Sequence, residues 1–441
     1  MAAEPLTAEA AGDAAAPAIM LAPAERLKIL MAAAAVMLLL QFAAPSAGFI
    51  GLPILFFLKN RLHLTAQGLA GFNFWAGAPL YLSFVFGVMR DRWSPAGKGD
   101  RGHLVLFGLL TAGLYLALAF LPPSYPVLLV GCLLVTAGVQ AAWSATQGLS
   151  SQIAQEHAIP GQTSTTINLA GLVPGIAAFV AGGFLSSLLE LQGVVMAARL
   201  LFLGGAALML GVALFGAVGP RRLFDAATIE SPRTSLVEDV GRLLRCTPIY
   251  APLIIQLLWQ FGPAGGAALQ YHLANHLHAS DSDVGLWYAI FWASILPSMA
   301  AYGWLCQRVR LRTLLWWGAI VAVPQWAPLL FVHTMREAFI AAVPIGLVAG
   351  IGQVAFTDIT IRACPPRLQG TMMMLLWSMY WIAIRGGDVW GAWLYETQGG
   401  LTTAIWATIG VYALIVPTLL FIPRRLTDTR DGEPAPGEVS A

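Results

Sequence analysis

Long apolar runs recur along this chain from Leu27 almost to Ile422. Of its 441 residues, 58% are hydrophobic and 10% are charged, whereas a soluble domain carries about 25% charged residues. Lipid offers no hydrogen bonds, so each run must satisfy its backbone internally, as a helix of about 20 residues does. The sequence therefore predicts an all-α integral membrane protein. We expect twelve spans, at residues 28–57, 67–89, 104–122, 126–152, 165–189, 195–218, 248–274, 284–305, 313–333, 338–361, 370–394 and 401–422.

The positions of the basic residues support this number, because Lys and Arg concentrate in short cytoplasmic loops. With the N-terminus inside, most of the 24 Lys and Arg residues fall on the inner side. Lys59, Arg61 and Arg336 fall in outer loops, and Arg199 and Arg385 fall within spans. One missed span would destroy this asymmetry. Both termini are therefore predicted to be cytoplasmic, in the inner membrane of a bacterium.

The second half of the chain repeats features of the first. "LLLQFAAPSAG" around Gln41 matches "LLWQFGPAGGA" around Gln260, and each has a Gly/Ala/Pro stretch that loosens its helix. "FFLKNRLHLT" (56–65) matches "YHLANHLHAS" (271–280) at Leu, Asn, Leu and His. The repeat predicts two six-helix halves, at 27–218 and 248–423, joined by a polar cytoplasmic linker at 219–247. Residues 1–26 and 424–441 are polar or Ala-rich and are predicted to be disordered cytoplasmic tails.

A charged turn also recurs after the second span of each half. "GVMRDRWSP" contains Gly87, Asp91 and Arg92, and "GWLCQRVRL" contains Gly303 and Gln307. Gly87 lets span 2 pack closely, Asp91 can cap a neighbouring helix, and Arg92 holds the inner face. We expect a latch between helices of one half, which Gln307 cannot form in the second half.

Motifs for other functions are missing from the sequence. There is no nucleophile–base constellation, phosphate-binding loop or metal-ligand spacing, and the four cysteines lack disulfide or metal spacing. A net charge of +2 gives no reason to expect a nucleic acid. We therefore predict no enzyme activity, no cofactor and no metal. The expected partners are a small-molecule substrate, the lipid bilayer and protons, and the chain is expected to be a monomer.

Four stretches resemble the folate-biopterin transporter family within the major facilitator superfamily. They are "GLPILFFLKNRLHLTAQ", "VFGVMRDRWSP", "LLWQFGPAGGAALQYHLANHL" and "RACPPRLQGTMMMLLWSM". The resemblance covers about 28–422 and implies a major facilitator fold that moves a pterin- or folate-like anion by alternating access. The chain departs from the family in span 4, where Glu156 is the one expected acid, and at Gln307. Two alternatives stay open: a muropeptide or multidrug-type permease, and a non-transporting membrane assembly factor on the same fold.

The resemblance also implies that spans 1, 4, 7 and 10, with 2, 5, 8 and 11, surround a central cavity. Polar residues at mid-depth of these spans are the candidate substrate ligands. Amides can read the edge of a heteroaromatic ring, and aromatic side chains can stack on its face; helix–helix contacts and packing are the alternative roles. The candidates are Gln41, Asn73, Gln140, Gln256 and Gln260 among the amides, and Trp143, Trp259, Trp377 and Tyr380 among the aromatic residues.

Arg385, within span 11, is predicted to hold a carboxylate of the substrate, because its guanidinium suits that group. The alternative is a structural ion pair with Asp388, three residues further on. Asp358 and Arg362 are one turn apart in span 10 and predict either an ion pair at the inner rim or an inner gate. Asp358, Asp388 and Glu156 motivate the hypothesis of proton coupling.

Overall fold

A computed structural model describes residues 21–47, 50–64, 66–191, 194–220, 223–224, 236–365 and 367–433. These residues form helices and connecting turns, and helical segments occupy all twelve predicted spans. Most of the predicted N-terminal tail, the middle of the linker and residues 434–441 lie outside the described residues. We call the side that carries the predicted cytoplasmic loops the inner face.

Eight of the described helices are long and apolar enough to cross a membrane by length and composition alone. They are Pro23–Ala43, Gly99–Phe120, Tyr125–Glu156, Ala198–Val218, Asp283–Leu305, Leu311–Phe331, Met335–Ala363 and Leu401–Phe421, at spans 1, 3, 4, 6, 8, 9, 10 and 12. The remaining spans are 2, 5, 7 and 11. Their helices are Ala66–Ala76, Ala78–Tyr81 and Ser83–Arg92 for span 2, Pro160–Leu191 for span 5, Tyr250–Gln260 and Ala267–Asn275 for span 7, and Gln369–Thr397 for span 11.

Spans 1 and 7 are broken where the sequence repeat predicted loosened helices. Span 1 continues after a 3₁₀ turn at Pro45–Ala47 as the helix Gly51–Asn60. Span 7 unwinds over residues 261–266, where proline and glycine interrupt the helix. The break in span 7 lets Gly262 and Gly266 approach span 11 closely, at Gly387 and Asp388.

Each half has its own buried apolar core. Met37, Val135 and Met209 belong to the core of the first half, and Trp287, Ile345 and Ile405 to that of the second. The linker contributes one described helix, Leu236–Arg245, and Arg92 at the end of span 2 pairs with Asp239 of this helix at 3.1 Å.

The first residues of the predicted C-terminal tail differ from a disordered segment. A short helix, Arg424–Thr427, follows span 12, and Asp431 is buried against spans 5, 8 and 10. This segment lies on the inner face, where the halves meet, because buried hydrogen bonds tie it to both of them.

Candidate functional site

A cavity of about 280 Å³ lies between the two halves. Every residue that lines it belongs to spans 1, 2, 4, 5, 7, 8, 10 or 11, as the resemblance implied. The lining residues are Gln41, Ser46, Leu80, Val139, Gln140, Trp143, Ile167, Asn168, Gly171, Leu172, Gly175 and Ile176 from the first half, and Trp259, Gln260, Phe291, Trp292, Ile295, Met299, Ala349, Gln353, Trp377, Tyr380 and Trp381 from the second. Seven of the ten predicted substrate-binding residues are among them.

Amide side chains from both halves converge on the cavity. The Gln41 amide donates to the carbonyl of Gly171 at 3.2 Å, and Gln140 accepts from the Ser83 hydroxyl at 3.3 Å. In the second half, Gln260 donates to Gln353 at 2.5 Å. An amide can make about four hydrogen bonds, so these contacts hold the amides in place and leave capacity for a ligand.

Aromatic side chains form much of the remaining wall. Trp143 contacts Trp377 edge to face across the two halves, with ring centroids 6.1 Å apart. The Trp377 ring also contacts the Tyr380 ring, with centroids 5.1 Å apart. One face of Trp259 is already covered by Tyr412, which stacks on it at 5.1 Å. The cavity therefore offers apolar, flat surfaces between polar amides.

The cavity lining, as far as the structure describes it, contains no Asp, Glu, Lys, Arg or His. An ionised group of a bound solute would lose its hydration without gaining a charged partner, which is costly. The chemistry of the lining is suited to an uncharged solute with hydrogen-bonding edges and flat faces.

Three predicted ligands lie outside the cavity lining. Asn73 is exposed, and Gln256 is 1% exposed, one helical turn from Gln260. Arg385 is half exposed and lies 3.9 Å from Asp388, so the ion pair named as the alternative is formed. Asp388 packs against Gly266 at the break in span 7.

Asp91 forms what we call the first inner cap. Its carboxylate accepts hydrogen bonds from the backbone N–H groups of Gly370 at 3.0 Å and Thr371 at 2.6 Å, and from the Thr371 hydroxyl at 2.7 Å. These are the second and third residues of the span 11 helix, whose free N–H groups attract a carboxylate. The expected latch within one half was wrong: this one joins span 2 of the first half to span 11 of the second.

The first inner cap depends on close packing and on a buried arginine. A Cβ atom at Gly87 would overlap the carbonyl oxygen of Gly370, so glycine is needed there. Arg90 is 2% exposed and bonds Asp91 at 2.8 Å and both oxygens of Asp100 at 2.6 and 2.7 Å.

Asp358 and Arg362 form the predicted ion pair at 2.7 Å, and Asp358 is fully buried. Asp358 also accepts from the Tyr302 hydroxyl at 2.7 Å. Arg362 reaches further, to Asp431 of the C-terminal segment at 3.0 Å. Burial and the neighbouring Asp358 raise the pKa of Asp431 to about 6, against the effect of Arg362.

Asp431 forms what we call the second inner cap. Its carboxylate accepts from the backbone N–H of Gly161 at 3.0 Å and of Gln162 at 2.7 Å. These are the second and third residues of the span 5 helix, which begins at Pro160. This cap also joins the two halves.

Gln155 adds a further connection between the halves. It donates to the carbonyls of Ile361 at 2.9 Å and Cys364 at 2.8 Å, at the end of span 10, and accepts from Gln369. Glu156, the next residue, accepts from Gln152 at 3.0 Å within its own helix. Sequence reasoning selected Glu156 for its charge and missed the adjacent amide that makes the contact.

Comparison with known proteins agrees with this architecture. Residues 37–384 match the family model of the Major Facilitator Superfamily. The chain belongs to this superfamily. The Folate-biopterin transporter of Synechocystis sp. is 23% identical over 359 residues, which cover 77% of the chain and 70% of that protein.

Solved structures of the superfamily show the same fold. FucP, the fucose:proton symporter of E. coli, in its outward conformation matches 89% of the chain and 98% of its own length, with a TM-score of 0.67 and 17% identity. The proton:xylose symporter XylE, bound to 6-bromo-6-deoxy-D-glucose, matches 92% and 98%, with a TM-score of 0.63 and 13% identity. The chain is therefore an integral membrane transporter for a small molecule and not an enzyme.

Proposed function

We propose that this transporter moves an uncharged heteroaromatic solute of the pterin class by alternating access. The observation that carries the proposal is the lining of the cavity between the halves. The described lining contains amide and aromatic side chains but no charged side chain. A pterin ring presents alternating donors and acceptors along its edge, which amides can match, and a flat face on which tryptophan can stack.

This proposal changes the expected charge of the substrate. Folate carries a glutamate tail with two carboxylates, and the cavity offers neither of them a cation. Arg385, the residue expected to bind a carboxylate, is not part of the lining and already faces Asp388 at 3.9 Å. An unconjugated pterin such as biopterin therefore suits the cavity better than folate does.

Exchange of tritiated biopterin in proteoliposomes tests the substrate. We expect the purified chain to exchange biopterin at least about tenfold faster than folate. Replacing Gln260 with Leu should lower biopterin exchange about tenfold, because a lost hydrogen bond to a buried polar edge costs roughly 1–3 kcal/mol. The matched control is Arg385→Ala, which should keep most of the exchange. Absence of biopterin exchange, or equal loss in the two variants, would contradict the proposed site.

Proton coupling is a separate part of the proposal. The cavity lining supplies no carboxylate, so a coupling proton would bind outside the lining, with Asp358, Asp388 and Glu156 as the candidates. Uptake should rise with an inward proton gradient and fall in Asp358→Asn. If uptake does not depend on the gradient, coupling is wrong, whereas exchange without a gradient would still support the substrate.

The same proposal places the chain as a monomer in the bacterial inner membrane, with both termini cytoplasmic. The polar cavity between the halves supports transport over the role of a non-transporting assembly factor. Stable co-purification with a partner and no flux of any solute would favour that role instead. Flux of muropeptides but not of pterins would favour the permease alternative.

A further inference from the structure

The second half of the chain lacks a carboxylate where the repeat predicts one. Residue 307 corresponds to Asp91 in the recurring turn but is a glutamine. The Gln307 side chain is exposed and donates back to the carbonyl of Gly303 in its own helix at 2.8 Å. It therefore gives the start of span 5 no charged cap.

The C-terminal segment fills this position. Asp431 contacts Gly161 and Gln162 at 3.0 and 2.7 Å, whereas Asp91 contacts Gly370 and Thr371 at 3.0 and 2.6 Å. In each case the acceptors are the two oxygens of one aspartate, and the donors are the second and third N–H groups of a helix from the other half. Each aspartate is also bonded to an arginine, whose side chain is 3% exposed in Arg90 and 9% exposed in Arg362.

The segment around Asp431 is bonded to both halves. Its own N–H donates to the Cys306 carbonyl at 3.1 Å in the second half, and Gly432 donates to Ala158 at 2.7 Å in the first. Arg362 also donates to the Thr429 hydroxyl at 2.8 Å. Separation of the inner ends of the two halves would break contacts on one side of this segment.

We propose that Asp431 is a gating residue of transport: residues 429–432 supply the carboxylate that position 307 lacks and hold the inner end closed until they leave span 5. Asp431 acts on alternating access by positioning span 5 and does not touch the solute. The C-terminal segment is thereby part of the transport machinery.

Two native cysteines report the two caps separately. Cys306 is 2% exposed, and its sulfur lies 3.6 Å from Asp431. Cys364 is 4% exposed, in the turn that leads into span 11 and the first inner cap. Alkylation of the full chain by N-ethylmaleimide, followed at each cysteine by peptide mass spectrometry, measures how often each region opens. It requires no transported solute, so its outcome is independent of the pterin proposal.

The proposal predicts a selective change and a selective rescue. Asp431→Asn should raise the alkylation rate of Cys306 about tenfold and that of Cys364 by a clearly smaller factor, because Cys364 lies beside the first inner cap, which the variant leaves intact. Adding Gln307→Asp to Asp431→Asn should return the Cys306 rate to within about twofold of wild type, because the turn then carries the carboxylate found in the first half. Arg425→Ala, at an exposed position outside residues 429–432, is the control and should behave as wild type.

An unchanged Cys306 rate in Asp431→Asn would overturn the proposal, and so would a double variant that alkylates as fast as the single one. If Asp431→Asn does not fold, the double variant still decides the question. The proposal requires the double variant to fold and to protect Cys306, so its failure to do either would overturn the proposal.

Discussion

The two inner caps close the same face of the transporter with nearly the same geometry, but their carboxylates come from different places. Asp91 stands at the end of the span 2 helix, at the position the repeated motif predicts. Asp431 comes from beyond span 12 and makes the corresponding contacts at the start of span 5. The comparison teaches that a duplicated fold can keep a helix cap while the residue that provides it moves elsewhere in the chain.

The largest expected effect comes from the arginine in each cap. Arg90 bonds Asp91 and Asp100, and Arg362 bonds Asp358 and Asp431. Removing one partner of a buried ion pair costs about 3–5 kcal/mol. Arg90→Met and Arg362→Met should both lower the thermal midpoint measured by tryptophan fluorescence in detergent.

The two arginine variants should lower the thermal midpoint by different amounts. Arg90→Met should be the more damaging, because Arg90 bonds both oxygens of Asp100. When Arg362 is removed, by contrast, Asp358 keeps its bond from Tyr302 and Asp431 keeps its bonds from Gly161 and Gln162. Lys98→Met, at an exposed position, is the control. If both variants melt like this control, the buried pairs do not stabilise the fold.

The next largest effect is a difference between substitutions at the two corresponding positions, Asp91 and Gln307. Asp91→Asn weakens three hydrogen bonds to a charged acceptor, and such bonds contribute about 1.5–3 kcal/mol each. We expect alkylation of Cys364 to rise about tenfold or more. Gln307→Ala should leave the alkylation rates of Cys306 and Cys364 unchanged, because replacing an exposed side chain usually changes stability by no more than about 0.5 kcal/mol. Equal effects of the two substitutions would show that the first inner cap has no special role.

Most of the substrate-binding residues predicted from the sequence line the cavity. The sequence predicted the carboxylate of the first inner cap but not that of the second. Gln41, Gln140 and Gln260 were found because a polar side chain at mid-depth of an apolar span is costly unless it faces a cavity or a partner. Gln256 and Arg385 have similar depth but do not line the cavity. Depth in a span does not specify which way a side chain faces.

Asp100 and Asp431 could not be selected in the same way. Each stands in a polar segment outside the apolar spans, where a carboxylate is ordinary and ionised in water. Their significance comes from burial beside an arginine and, for Asp431, from contact with residues about 270 positions earlier. Such long-range contacts leave no local pattern. The signal that was available is the glutamine at position 307, which indicated a missing carboxylate without showing its replacement.

The smallest expected effect is a pH dependence of the second inner cap. Asp431 faces Asp358, Arg362 and Cys306, and burial with the nearby Asp358 raises its pKa to about 6. A carboxyl group whose pKa is raised by docking stabilises the docked state at low pH, and this stabilisation is lost as the pH rises through 6. Asparagine does not mimic the protonated acid at this position, because its amide nitrogen replaces one of the two oxygens that accept from Gly161 and Gln162. Protection of the Gly161 and Gln162 amides against hydrogen exchange, corrected for intrinsic rates, should fall several-fold between about pH 5 and pH 8. Asp431→Asn should remove this dependence, and a dependence that persists in the variant would assign it to another group.

The central claim is that two equivalent caps together hold the inner face closed. Nitroxide labels at Lys98 and Arg310, exposed residues in inner loops of opposite halves, would measure the opening by double electron–electron resonance, with the four native cysteines replaced by alanine. Each of Asp91→Asn and Asp431→Asn alone should shift part of the population to a longer distance. In the double variant, the free energy of opening should change by the sum of the changes in the two single variants, as expected for separated sites that act on one open–closed equilibrium. The long-distance population should grow accordingly. A double variant with the same distance distribution as Asp91→Asn alone would contradict the account.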